Sequence, residues 1–289
     1  MKIAACAYHC GGVPDRAALR AKLDALVADC DADLVVLPEY AAMDAALAGA
    51  RIDFGDIGWR DRAADRAEDW VDLFRQLATR HDCHILAGSG PARAEGCIVN
   101  RSWLVAPSGA VVHQDKLILT PYERDTLAMV GGGDLRLFAT ALGKIGILVC
   151  YDSEFPILAR RLAQAGADMI LVPSCTDFPA GQTRVRQSAR ARAIENQCLV
   201  VQAPLVGRVE GCGIVDESTG RAGLFCPPDH GLPSDGILAQ GDTDSTRPVI
   251  AEVDPAAIAA PRQAGQVGNF AHWGEQERHD RDVKTMVLA

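Results

Sequence analysis

Short apolar runs alternate with longer stretches of helical periodicity along most of the chain. Residues 2–8 (KIAACAY) are apolar without alternation, the pattern of a strand buried on both faces. Residues 15–28 place Ala18, Leu19, Leu23, Leu26 and Val27 at helical spacing behind an acidic start. A second short strand follows at 34–37, halted by Pro38, and then a helix over 62–80 with Ala67, Trp70, Val71, Phe74 and Leu77 on its apolar face. Strands are expected at 84–87, 98–105 and 110–112, the last two joined by a Pro107-Ser108-Gly109 turn. The alternation resumes with a strand at 145–150, a helix at 157–165, a strand at 169–172, a helix at 183–196 and a strand at 199–202. Four further strands, 213–215, 220–224, 237–239 and 249–253, come without long helices between them. Strand–helix–strand order predicts a layered α/β protein, and the strand-rich later part predicts antiparallel additions to a mixed sheet.

A chain of 289 residues suits one large domain or two small ones. No linker, charge block or repeat marks a boundary, so residues 1–254 read as one domain. Residues 255–289 differ: they are polar and strand-poor, with Phe270 and Trp273 in a GNFAHW stretch. They read as a C-terminal arm packing on the surface or on a partner subunit, with a disordered tail as the alternative. The balance of 29 Lys+Arg against 38 Asp+Glu gives a net charge of −9, which argues against a nucleic-acid or anionic-membrane surface. No run approaches the roughly 18 apolar residues of a membrane helix. The N-terminal MKIAACAYHC lacks the order of a secretory signal, so the ten cysteines are expected as thiols in a reducing compartment and the cytoplasm is the expected location.

Open α/β sheets carry their chemistry just past the C-terminal ends of strands. Three such places stand out: Glu39 after LVVLP, Lys116 after VVHQD with Glu123 seven residues on in LILTPYE, and Cys150 in GILVCYDSEFP. Singly, each has an ordinary reading as a turn carboxylate, a surface lysine or a small core residue. Together and in this order, with GADMILVPS at 166–174 and RARAIENQCLVV at 190–201, they resemble the nitrilase superfamily of carbon–nitrogen hydrolases from residue 1 to about 254. The resemblance implies an α/β fold of αββα sandwich type. It also implies homodimers or higher homo-oligomers joined through their helical layers.

The same resemblance assigns the chemistry. A thiol with an ordinary pKa of ~8.5 is only slightly ionised at neutral pH and needs a base beside it. Glu39 is expected to take the Cys150 proton as sulfur attacks a carbonyl carbon, while Lys116 and the backbone N–H of Tyr151 face the developing oxyanion. Glu39 then protonates the departing nitrogen and activates water against the thioester. Glu123 corresponds to the family's second glutamate and is expected to hold Lys116 or the substrate; its alternative is a surface pair with Arg124 or Arg136. No cofactor or metal is expected, because the ammonium supplies the positive charge.

Tyr151-Asp152 after the nucleophile looks like the amidase and carbamoylase side of the superfamily rather than the Trp-Glu of nitrile-hydrolysing members. Glu154 stands where many relatives have an arginine, which favours neutral or cationic amides over N-carbamoyl amino acids; its alternative is an exposed helix-start residue. Tyr40, Tyr122 and the loop Ser174-Cys175-Thr176-Asp177-Phe178 are expected beside the catalytic segments as substrate contacts. Competing readings are nitrile hydrolysis or acyl transfer on the same site, a Cys–His mechanism, and a non-catalytic binding protein of the same fold.

Other signals carry less. Cys6, His9 and Cys10 lack a second pair to complete a zinc site, and Gly131-Gly132-Gly133-Asp134 fits no nucleotide loop. Asn100-Arg101-Ser102 is a glycosylation sequon without meaning in the cytoplasm. RVRQSARARAIEN distributes its arginines over several helix faces rather than one basic stripe.

Overall fold

The computed structural model describes residues 1–51, 53–279 and 283–288; residues 280–282 and 289 of the expected arm lie outside them. Two six-stranded mixed sheets form the centre. The first contains β1 (Lys2–Ala5), β2 (Leu34–Val36), β3 (His84–Ala94), β4 (Cys97–Val105) and β5 (Val111–Asp115). The second contains β6 (Leu137–Thr140), β7 (Gly143–Ile147), β8 (Met169–Ser174) and β9 (Leu199–Pro204). A two-stranded ribbon, β10 (Gly207–Arg208) and β11 (Glu217–Ser218), lies between β9 and the last strands, β12 (Gly223–Phe225), β13 (Ile237–Gln240) and β14 (Val249–Glu252). The strand orders are β14-β1-β2-β3-β4-β5 and β13-β12-β9-β8-β7-β6. Each sheet has three parallel strands at its centre, β1-β2-β3 and β7-β8-β9, with antiparallel strands on both sides.

Residue alternation along the central strands builds the layers. Ala4, Cys6, Val35 and Leu37 pack with Leu23 and Val27 of α1 (Arg16–Cys30) and with residues of the α2–α4 region. Their neighbours Ile3, Ala5, Leu34 and Val36 face the other way, into a core shared with Ile145, Ile147 and Leu171 of the second sheet. Behind that sheet lie α5 (Pro156–Gln164) and α6 (Pro179–Asn196), through Leu162, Val185 and Ala189. The order helix–sheet–sheet–helix is the expected αββα sandwich.

The helix expected over 62–80 is two helices, α3 (Gly55–Asp65) and α4 (Ala67–His81), broken at Arg66, whose backbone N–H donates to Ala63 O at 3.0 Å. A short α2 (Met43–Leu47) and strand β6 carried too little periodicity to be seen. Residues 213–215 are a turn and not a strand: Val215 N donates to Cys212 O at 3.0 Å, and Ile214 and Val215 enter the core from it. Two short helices, α7 (Pro255–Ala259) and α8 (Pro261–Ala264), begin the arm. Arg262 ties it down by donating to the carbonyls of Ala167, Asn196 and Gln197. Phe270 stacks on the guanidinium groups of Arg160 and Arg262, so this part of the arm covers its own domain. Among the described residues no helix is long and apolar enough to cross a membrane.

Candidate active site

Glu39 leaves the end of β2 on a tight turn in which Tyr40 takes a positive φ of 59°. The turn lies against β3, with Ser89 N donating to Pro38 O at 3.1 Å. Only glycine fits at position 88, where a Cβ would come within 2.1 Å of the Pro38 carbonyl. Lys116 follows β5, its backbone N–H donating to Asn100 O at 2.8 Å across the β4–β5 hairpin. The glycines at 131 and 132 let a loop lie flat on this segment: a Cβ on Gly131 would meet Leu117 O at 2.6 Å.

The strand expected to run to Cys150 stops at Ile147, and Cys150 opens a 3-10 turn, Cys150–Glu154, at a positive φ of 49°. Such conformations cost about 1–3 kcal/mol for a non-glycine residue and persist where surrounding contacts enforce them. Here the contacts are specific. Ser153 Oγ donates to Cys150 O at 2.6 Å. The buried Asp152 carboxylate accepts from the backbone N–H groups of Ile118 at 2.8 Å, Leu117 at 3.2 Å and Val149 at 3.3 Å. Asp152 thereby locks the Cys150 turn to the Lys116 segment. Burial raises its pKa to about 6 against the opposing pull of those amides and of Lys116.

Lys116 is 1% exposed, and its Nζ lies 2.8 Å from Glu39 Oε1 and 2.7 Å from Glu123 Oε2. The two carboxylates live in different surroundings. Glu123, in a five-residue π-helical turn (Tyr122–Thr126), accepts from Tyr40 Oη at 2.9 Å, Asn100 Nδ2 at 2.9 Å, Thr120 N at 2.8 Å and Thr120 Oγ1 at 3.0 Å. Burial acts to raise its pKa, but Lys116 and these donors hold it below the usual carboxylate value. Glu39 has fewer donors: besides Lys116 they are Asn100 Nδ2 and Cys175 N, each at 2.9 Å, and the Cys150 thiol. Burial, with repulsion from Glu123, raises it to about 7 despite Lys116. One carboxylate is held in the charged state and the other titrates near neutrality, so their surroundings push the two apart. Burial also opposes the charge on Lys116, yet the two carboxylates push its pKa well above the ordinary value. Burial and the Glu39 charge drive the Cys150 thiol up, so the resting group is a thiol and not a thiolate.

These groups line a cavity of about 470 Å³ together with Tyr40, Tyr122, Tyr151, Glu154, Cys175 and Thr176. Ser174 is the correction: it is the last residue of β8, buried with its Oγ donating to Ala203 O at 3.4 Å, and the cavity lining begins only with Cys175 after the strand. Glu123 does not make the surface pairs with Arg124 or Arg136. Glu154 lies at the cavity 3.4 Å from Arg184 Nε of α6, so its charge is balanced by an arginine from another element. Among the described residues no histidine lines the cavity, and no cluster of three His, Cys, Asp or Glu side chains is placed to hold a metal. Asn100, Thr120, Arg184 and Asp216 escaped the sequence reading. For Asn100 a signal existed: folding residues 98–112 about the Pro107-Ser108-Gly109 turn brings it opposite Lys116.

Residues 2–226 match the carbon-nitrogen hydrolase family, and the chain belongs to it. It is 37% identical over 206 residues to the probable hydrolase YhcX of Bacillus subtilis, covering 71% of this chain and 40% of that one. With the deaminated glutathione amidase of Mus musculus it shares 45% identity over 147 residues, 50% of this chain and 41% of the other. The chain thus spans less than half the length of both relatives. In fold it is similar to Saccharomyces cerevisiae Nit3, a member of branch 10 of the nitrilase superfamily, with a TM-score of 0.72 at 22% identity over 91% of this chain and 93% of that one.

Proposed function

We propose that the protein is an amidase-type thiol hydrolase that cleaves a non-peptide C–N bond of a small amide through a thioester on Cys150. The observation that carries this reading is Lys116 held between a locked carboxylate and a proton-exchanging one, in the cavity that also exposes the Cys150 thiol.

Because the thiol is neutral at rest, its proton must leave as sulfur attacks. Glu39 takes it, the S–C bond forms, and the carbonyl oxygen gains the electron pair. A lysine ammonium has three N–H donors; Glu39 and Glu123 engage two, and the third meets the oxyanion beside the Tyr151 backbone N–H. Removing one such donor costs about 3–4 kcal/mol of transition-state stabilisation. Glu39 returns the proton to the nitrogen, the C–N bond breaks, and ammonia or an amine departs. Water then gives a proton to Glu39 and attacks the thioester. The carboxylic acid leaves and the thiol recovers its proton.

Amides are favoured over nitriles by Tyr151-Asp152. The lining is acidic: among the described residues Glu154, Asp177 and Asp216 face one rim arginine, Arg184. That balance disfavours anionic substrates and extends the preference for neutral or cationic amides. The chain acts as a homodimer or higher homo-oligomer on small molecules, without nucleic acid or membrane.

The test is a panel of amides, N-carbamoyl amino acids and nitriles scored for ammonia or amine with the native protein and Cys150→Ala. Native turnover of neutral or cationic amides and a loss of at least about 10⁴-fold in Cys150→Ala are expected. Ammonia release by Cys150→Ala at the native rate would overturn the assignment.

A further inference from the structure

Asn100 was visible in the sequence only as part of a sequon, yet its side chain is wholly buried and cannot serve as an acceptor for sugar in the folded protein. It sits on β4 where the hairpin brings it beside Lys116, and its backbone carbonyl accepts from Lys116 N at 2.8 Å. Its side-chain nitrogen lies 2.9 Å from Glu39 Oε1 and 2.9 Å from Glu123 Oε1. Which end of the amide faces the carboxylates is settled by chemistry, because its oxygen there would meet two anions and only the NH₂ group can donate to both. The cost is visible on the other side: Oδ1 is buried with no hydrogen-bond partner. A buried polar atom left unpaired is a rare expense, and it is met here by a residue whose other end serves the cavity.

We propose that Asn100 is a positioning residue for the hydrolysis, bridging the two carboxylates so that Glu39 stays ionised and aimed at Cys150 while Lys116 turns a donor to the substrate. This rests on the reading of Glu39 as the proton carrier. Glu39 and Glu123 repel each other, and a single ammonium between them leaves the buried group with one excess negative charge. Asn100 adds two donors without adding charge. When Glu39 accepts the thiol proton, the bond to Glu39 weakens and the bond to Glu123 keeps the amide in place for the return step. Glu123 keeps Lys116, Tyr40 and both Thr120 donors without Asn100, whereas Glu39 keeps only Lys116, Cys175 N and the thiol whose proton it is to take, so the effect of removal falls mainly on Glu39.

The experiment measures two pH profiles on the native protein, Asn100→Leu and Asn100→Ser: kcat/KM for an amide substrate, and the rate of iodoacetamide labelling at Cys150 read by mass spectrometry. Leucine keeps the volume and removes both donors; serine keeps one donor should leucine fail to fold. In Asn100→Leu the acid limb of both profiles is expected to move up by about one pH unit, with kcat reduced about tenfold and KM changed less. In Asn100→Ser a smaller shift in the same direction is expected. A uniform loss of rate with both limbs unmoved, in whichever variant folds, overturns the proposal and leaves the amidase reading intact. A shifted labelling limb in a protein that turns over no amide leaves the role of Asn100 standing and sinks the amidase reading instead.

Discussion

Two lysines in this molecule each hold a buried aspartate or glutamate at 2.8 Å, and the two acids stand five positions apart on one short segment. Lys22 meets Asp44, and Lys116 meets Glu39. Around Lys22 every valence is used. Its ammonium donates to Asp44 Oδ2, to His9 O at 2.6 Å and to Gly11 O at 3.2 Å, while Asp44 also accepts from the Tyr8 hydroxyl and from Gly11 N at 2.6 Å. The arrangement is closed and ties the start of the chain to the segment behind Glu39. Around Lys116 there are two carboxylates for one ammonium, a donor to spare, and a cavity with a thiol beside it. A saturated buried ion pair fixes a fold; an unsaturated one of unbalanced charge can act on a third party. The same contact distance therefore means different things, and the count of donors and acceptors decides between them.

Substituting the two lysines breaks the comparison most directly. Lys116→Met is expected to abolish turnover, by about 10³-fold or more. It should also destabilise the fold by about 3–5 kcal/mol, since two buried carboxylates lose their partner. Lys22→Met is expected to lower stability by a smaller amount, because Lys22 is partly open to water, and to leave kcat of the folded protein within about twofold. Denaturant melts with parallel ammonia assays check both. Equal losses of activity in the two variants would remove the distinction.

The next effect is pH dependence. Glu39 is raised to about 7 in the fold, so the acid limb of kcat/KM is expected near pH 7, about tenfold per unit below it. The sign for stability runs opposite to that of an ordinary salt-bridged carboxylate. A raised folded-state pKa means the native state binds more protons than the unfolded chain between about pH 4.5 and 7, so this group's contribution to stability falls as pH rises through that window. Glu39→Gln should flatten that part of the stability curve, as shown by melts at pH 5 and pH 8. Smallest is Asp44→Asn. It should cost about 2–3 kcal/mol of stability and leave the acid limb where it was, because Asp44 does not face the cavity.

Much of this was legible beforehand because it is carried by local pattern. Apolar runs at β1, β2, β7, β8 and β9 mark strands of the two central sheets, and the residues that follow β2, β5 and β7 (Glu39, Lys116 and Cys150) are the ones the fold brings to one cavity. Glu39, Lys116, Glu123 and Cys150 meet in one cavity, as their order in the chain suggested. What stayed hidden depends on tertiary contact. Arg66 interrupts an apolar face that reads as one helix, and Ile214 and Val215 reach the core from a turn that looked like a strand. Arg184 balances Glu154 from thirty positions away, which no local motif records. Ser174 reads as the first residue of the loop after the strand, but it is the last residue of β8 and stays buried there. Asn100 was within reach: the hairpin turn was identified, and counting outward from it pairs Asn100 with Lys116.

The most direct test is rapid quenching of the native protein with an amide substrate, followed by mass spectrometry of the cysteine peptides. An acyl group on Cys150, formed before the carboxylic acid and absent from Cys175 and the other eight thiols, is the expected result. Release of the amine with no acyl group ever found on Cys150, or with the adduct on another cysteine, would contradict it.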